Sequence, residues 1–221
     1  MTSKNKNIQT MQVKDCEILN IATAVRAQNL KELRDELKTI HPESIYYHFW
    51  ASKLRPAFEK PEYNNDFATW AYKNLHNNML AERLSLINPG MFSNIEDLRS
   101  KLVEVIESTL QQDPSVENSK ESEQFQFTRA DMILFNSEFS VSKPEELTTL
   151  IPTLPLGSIY FHFIESKNGP EDINTFVSSA GVDYSELSVQ LSILDPYYFT
   201  LTELRSRASK IFKDFFQGAK I

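Results

Sequence analysis

A six-residue string that occurs twice constrains this chain more than any other feature. Ser44-Ile45-Tyr46-Tyr47-His48-Phe49 returns as Ser158-Ile159-Tyr160-Phe161-His162-Phe163, 114 residues later. At the same spacing, Leu33, Leu37 and Ile40 fall opposite Leu147, Ile151 and Leu154. Further on, Leu84-Ser85-Leu86-Ile87-Asn88-Pro89 faces Leu191-Ser192-Ile193-Leu194-Asp195-Pro196 at a spacing of 107, and Leu98-Arg99-Ser100 faces Leu204-Arg205-Ser206 at 106. A spacing that only shrinks is what a duplication leaves when its second copy has a shortened loop. The pattern predicts two similar modules, residues 13–111 and 125–217. Residues 112–124 between them are rich in Ser and Glu, with too little apolar surface to enter a core, and read as a linker. Two periods are too few for a solenoid, so the modules are expected to pack about a pseudo-twofold axis.

Within each module the apolar spacing reads as helix. Leu98, Leu102, Val105, Ile106 and Thr109 mark one buried face, and Leu204, Ala208, Ile211, Phe212 and Phe215 mark another. A capping pair opens each: Thr200 with Glu203, and Asn94 with Asp97 or Ser93 with Glu96. Leu30, Leu33, Leu37 and Ile40 give a shorter stripe stopped by Pro42, whereas Pro152 interrupts the corresponding second segment. Ser44 and Ser158 are expected to cap the helices carrying the aromatic run, and Asp66 and Asp172 to cap the next ones. Met79 to Ile87 and Ser185 to Leu194 read as further short helices. The opening segments, Cys16–Val25 and Phe125–Phe139, fit helix or strand equally well, because Met132-Ile133-Leu134-Phe135 is simply apolar. Five glycines are few for an all-β chain with many tight turns. The fold class expected is mainly α, with five or six helices in each of two similar modules.

Charge narrows the partners. The net charge of −7 lies wholly in residues 113–221, which hold 9 Lys/Arg against 16 Asp/Glu; residues 1–112 are balanced at 14 each. Nucleic acid, which rewards clustered cations, is disfavoured as a partner. Cys16 is the only cysteine, which excludes an intramolecular disulfide and a multi-cysteine zinc site. No stretch resembles a signal peptide or reaches the ~18 apolar residues of a membrane span, so the reading is cytoplasmic with no membrane partner.

Ser44-Ile45-Tyr46-Tyr47-His48-Phe49-Trp50, Asn65-Asp66-Phe67-Ala68-Thr69-Trp70 and Leu80-Ala81-Glu82-Arg83-Leu84 resemble the marker motifs of an uncharacterised prokaryotic domain family of unknown function. The resemblance covers most of residues 16–110 and, more weakly, 127–216. It implies a compact module and no reaction, ligand or catalytic residue.

The candidate ligand-binding residues all lie in the first module: His48, Trp50, Arg55, Asp66, Trp70, Glu82 and Arg83. The second module has Ile164 for Trp50, Phe176 for Trp70 and Val189-Gln190 for Glu82-Arg83. His48 is the sharpest of them. Beside Asp66 or Glu82 it could serve as a general base or a metal ligand; equally, an imidazole next to Ile45 and Phe49 fits a half-buried, hydrogen-bonded packing role. Asp66 fits a helix cap better than a catalytic acid, and Glu82 and Arg83, being adjacent, point apart on a helix. Tyr46, Tyr47, Phe49 and Trp50 could stack on a sugar or base but fit a core as well. His41 and His76 sit in loop-like contexts, and Cys16 reads as a small core residue. No phosphate-binding glycine loop, nucleophile elbow or zinc-protease helix motif is present. Without a converging set, the reading names no catalytic residue, cofactor or metal. It favours a non-catalytic interaction or regulatory protein, with a protein partner or self-association. The alternative is a small-ligand binder or enzyme acting on an anionic, phosphate- or sugar-containing substrate in the first module.

Overall fold

The computed structural model describes residues 10–55, 61–113, 119–120 and 123–218. Both ambiguous segments are strands. β1 (Met11–Ala27) and β2 (Phe125–Val141) pair into a two-stranded antiparallel sheet, and the fold is mixed α/β where a mainly α bundle was expected. Alternation decides the matter at the strand ends. Met11 and Val13 are buried on either side of Gln12, as are Phe125 and Phe127 on either side of Gln126. Ile18, Ile21, Thr23 and Val25 add residue types that suit extended backbone. Ala24 adopts φ 62°, a backbone kink inside β1. Beside it, the Thr23 hydroxyl donates to the Phe127 carbonyl at 2.6 Å.

Ten helices accompany the strands among the described residues. Between β1 and β2 come α1 (Leu30–Leu37), α2 (Pro42–Phe49), α3 (Asp66–Lys73), α4 (Asn78–Ser85) and α5 (Ile95–Gln112). After β2 come α6 (Leu147–Leu150), α7 (Leu156–Tyr160), α8 (Ile173–Ala180), α9 (Ser185–Ser192) and α10 (Leu201–Gly218). The apolar stripes behave as spaced: Leu30, Leu33, Leu37 and Ile40 are buried, as are Leu98, Leu102, Val105 and Ile106. α6 is cut to one turn before Pro152, which sits in the 3-10 turn Ile151–Thr153. Thr200 and Glu203 form the reciprocal capping box, and Asn94 caps α5 by accepting from the Asp97 N–H at 2.9 Å.

The chain divides into two compact units, Ile18–Asp131 and Met1–Glu17 with Met132–Ile221. The picture of a helical module written twice fails on two findings. Each unit is built on strand as well as helix, taking part of β1 and part of β2. The recurring string also folds differently at its two sites: α2 is α-helical to Phe49, whereas α7 ends at Tyr160 and continues as a π-helical turn, Phe161–Glu165. Residues 114–118 and 121–122 of the expected linker lie outside the described set. Ser119 within it is buried, and its N–H donates to the Gln28 carbonyl at 2.8 Å.

The Ile18–Asp131 unit has its core in Leu33, Leu37, Ile45, Phe49, Phe67, Leu80, Leu84, Leu102 and Ile106, with Phe127 from β2. α3 and α4 pack against each other, and α5 lies against α1, α2 and α4. In the other unit, Leu147, Ile151, Ile159, Tyr160, Phe176, Leu187, Tyr197, Leu204 and Phe212 form the core, with Met11 and Val13 from β1. No helix among the described residues is long and apolar enough to cross a membrane.

Candidate functional site

Pro42 opens α2 at a position where its missing N–H costs nothing. The cap is His41, which accepts the Glu43 N–H at 3.4 Å; Ser44 and Ser158 both lie inside their helices, which corrects their expected capping role. What Ser44 does instead defines the site. Ser44 and His48 stand one turn apart on α2, so both face the same way. The Ser44 hydroxyl donates to the Thr128 carbonyl at 2.8 Å, and His48 Nε2 accepts the Thr128 N–H at 3.1 Å. Together they satisfy both backbone polar groups of one part-buried β2 residue.

The other imidazole nitrogen continues the chain of contacts. His48 Nδ1 lies 2.8 Å from Asp66 Oδ2, and Asp66 Oδ1 accepts from Arg55 Nη2. Because Nε2 is already an acceptor, the neutral ring must carry its proton on Nδ1 and donate it to Asp66. Burial pushes the His48 pKa below its ordinary value, against the opposite pull of the Asp66 carboxylate. Phe67, Phe125 and Phe127 surround the ring, with centroids 5.4, 4.7 and 6.1 Å away. Asp66 is the first residue of α3, not its cap: Asn65 caps α3, accepting the Ala68 N–H at 2.8 Å. Arg55 stays about half exposed, its guanidinium 5.8 Å from the Tyr47 ring centre.

The remaining candidates stand apart from this trio. Trp70 is buried, and its indole N–H donates to the Glu123 carbonyl at 2.8 Å. Trp50 is buried at the end of α2. Glu82 accepts from the Tyr63 hydroxyl at 3.2 Å, while Arg83 donates to the hydroxyls of Thr109 and Ser108 at 3.0 and 3.1 Å. None of the seven lines the open cavity of about 330 Å³ bounded by Lys38, Arg99, Ser100, Val103, Glu104 and Glu107.

His162 in the other unit is held in the same manner. Its Nε2 accepts the Lys14 N–H at 3.0 Å, and its Nδ1–H donates to the Glu171 carbonyl at 2.6 Å. Its pKa too is lowered, chiefly by burial. Asp172 caps α8 as expected, accepting the Thr175 N–H at 3.1 Å. Gly157, which sequence alone did not single out, and Cys16, which it read as a small core residue, complete this region. Gly157 lets β1 come against α7: a Cβ there would sit 2.2 Å from the Cys16 carbonyl oxygen. Cys16, buried, donates its thiol to the Gly157 carbonyl at 3.2 Å, and burial raises its pKa to about 12.

Chemically, a histidine oriented by a carboxylate is the supporting half of an acid–base site. Here the nitrogen that would face a substrate is occupied by a backbone N–H, so the imidazole cannot take a proton without losing its hold on β2. The arrangement joins a strand to two helices.

The model of a family of unknown function (DUF5752) matches residues 8–213 as one continuous span. No curated protein matches the chain. Among solved structures, that of OrfY from Thermoproteus tenax has a similar fold: TM-score 0.74, 22% sequence identity, covering 94% of this chain and 96% of that one.

Proposed function

The chain belongs to that family of unknown function, and from its surface we propose that it is a non-catalytic cytoplasmic protein that works by binding other protein. One observation carries the reading: large apolar side chains face outward in groups. Met79, Leu86 and Met91 stand on and just after α4; Ile133, Leu134, Phe135 and Phe139 on β2; Val182, Val189, Ile193 and Tyr198 on and around α9. All are between 44% and 86% exposed. Single exposed apolar residues are ordinary on a protein surface, but groups on one element mark sites that another surface covers. The closed hydrogen bonding of His48 and His162 supports the same reading, since neither ring is left for acid–base work.

The test is whether the full chain, purified at native abundance and analysed by sedimentation at micromolar concentration, travels with a stoichiometric partner or as a concentration-dependent oligomer. Replacing Leu134 and Phe135 by Ser should then reduce the association. A strictly monomeric chain that retains no partner would overturn the proposal. A small anionic ligand held in the Ile18–Asp131 unit has less support, because Arg55 already faces Asp66 and Arg83 faces two hydroxyls elsewhere. Its test is a thermal-shift screen with sugar phosphates and nucleotides, where a native-state ligand raises the melting temperature.

A further inference from the structure

We propose that the outer face of α9 docks a basic amphipathic helix of a partner protein. The inference rests on the interaction reading above and adds the partner's chemistry. α9 has two apolar stripes where a surface helix normally has one. Leu187 and Leu191 point inward and are buried. Val189 and Ile193, one turn apart, continue a line that begins at Val182 in the turn before α9, and they are 60%, 74% and 86% exposed respectively. Val189 lies on α9, Ile193 caps its C-terminal end and Val182 lies in the 3-10 turn before it, so the line runs the length of α9, about 12 Å at 1.5 Å per residue, and onto its flanking turns. A partner helix offering apolar residues at helical spacing covers a stripe of that length.

The charge around the stripe selects the sign of the partner. No Lys or Arg occurs between Lys167 and Arg205, while Asp183 and Glu186 fall on the stripe's own segment and Asp195 two residues beyond it. Asp183 and Glu186 are exposed, and neither has an ion pair among the described residues. Glu145 adds a third carboxylate at the N-terminal end of α9, where it accepts the Tyr184 hydroxyl at 2.7 Å. Glu186 has a local use, in that a carboxylate in the first turn favours the helix dipole. Asp183 and Glu145 lie outside α9, in the first turns of the 3-10 segments Val182–Tyr184 and Pro144–Glu146. The next two cations along the chain are engaged: Arg205 donates to the Leu154 carbonyl at 2.8 Å, and Arg207 stacks 4.2 Å from the Phe199 ring centre. An apolar line between carboxylates suits a helix with an apolar face and lysine or arginine flanks, and it repels nucleic acid and anionic lipid.

The test uses the full chain and a fluorescent peptide of about 18 residues, with leucines at i, i+4, i+7 and i+11 and lysines on the flanks. Anisotropy is read at two salt concentrations. Micromolar binding that weakens with salt is expected, at least about tenfold weaker for a scrambled peptide of the same composition and for a glutamate-flanked isomer. Val189→Ser with Ile193→Ser, and separately Asp183→Lys with Glu186→Lys, should each cost at least about tenfold. Val189 and Ile193 are exposed, so their replacement should leave the melting temperature in place; the lysine pair puts a cation at the start of α9 and should lower it by a few degrees at most. Leu134→Ser with Phe135→Ser on β2 should leave peptide binding unchanged. Affinity equal for the scrambled peptide, affinity indifferent to the α9 substitutions, or no binding at all would overturn the proposal. So would self-association abolished by the α9 substitutions, which would make the occupant a second copy. Those results leave the interaction reading to its own sedimentation test.

Discussion

Lowering the pH should destabilise the Ile18–Asp131 unit through His48, and the size of the effect follows from the geometry. In the folded chain the imidazole is neutral, because Nε2 accepts the Thr128 N–H and burial holds the pKa below 6.5. In the unfolded chain the ring titrates near its ordinary value of about 6.5. Below that value the unfolded state binds more protons than the folded one, so stability falls with falling pH. If the folded ring stays neutral throughout, the loss between pH 7.5 and 5.5 is about 1.4 kcal/mol, with a slope approaching ~1.4 kcal/mol per pH unit at the acid end. The chain supplies its own reporter, since Trp50 and Trp70 are its only tryptophans and both lie in the His48 unit. Urea unfolding followed by tryptophan fluorescence across that pH range should show the loss, and His48→Gln, which cannot take up the proton, should reduce it. A wild-type stability that is level across that range, or a slope in His48→Gln as steep as in the wild type, would refute the account of His48 as a buried neutral connector.

Other perturbations test other contacts. Gly157→Ala should destabilise the unit containing α7 by at least about 1–3 kcal/mol, seen as a lowered circular-dichroism melting temperature, because its Cβ meets the Cys16 backbone at 2.2 Å. Asn65→Ala removes a cap on the Ala68 N–H and a buried bond to the Leu84 carbonyl, and should cost about 2 kcal/mol in urea unfolding. Cys16, with its pKa near 12, should react with a thiol reagent at pH 8 at least about a hundredfold more slowly in the native chain than in urea. Equal rates in the two states would place the thiol at the surface.

What the sequence made legible was chiefly local. The stripes of α1, α5 and α10 were readable because each repeats at helical spacing, over about two turns in α1 and more in α5 and α10, and the Thr200–Glu203 box because its two partners are three residues apart. The strands were not. Periodicity in β1 and β2 survives only at Met11-x-Val13 and Phe125-x-Phe127, where one face is buried; in Met132–Phe135 three residues of the apolar run are exposed, and alternation carries no information. The recurring string misled for a related reason. Six matched residues specify a helical face, but not whether the turn closes at i+4 or i+5, and not the strand that comes to lie on it. The candidate site was half legible: Ser44 and His48 share a face by spacing alone, and the pairing of His48 with Asp66 was among the arrangements expected. Thr128, 80 residues away, depends on a strand whose existence the sequence left open.

The choice of histidine at this position has a physical explanation that needs no catalysis. A two-stranded ribbon is marginal in water, so its buried backbone groups need partners from the helices that cover it. At Thr128 the strand presents both its donor and its acceptor to α2. Ser44 meets the acceptor, and the donor needs a side-chain acceptor that can also satisfy the Asp66 carboxylate behind it. Lysine and arginine accept nothing, and aspartate or glutamate would set a second carboxylate against Asp66. Glutamine has both functions but more rotatable bonds to freeze, whereas the flat imidazole carries acceptor and donor in fixed directions and packs at an angle against Phe67 and Phe125. His162 solves the same problem at Lys14 with a backbone carbonyl in place of the carboxylate. A ring that bridges a strand N–H with or without an acid behind it is kept for its hydrogen-bond geometry. Asp66→Asn should therefore preserve the fold, its amide oxygen still accepting from His48 Nδ1–H, and near-native urea stability of that variant at pH 7.5 is the result expected. A loss as large as that of His48→Ala would mean that the carboxylate charge, and not the bond, holds the ring.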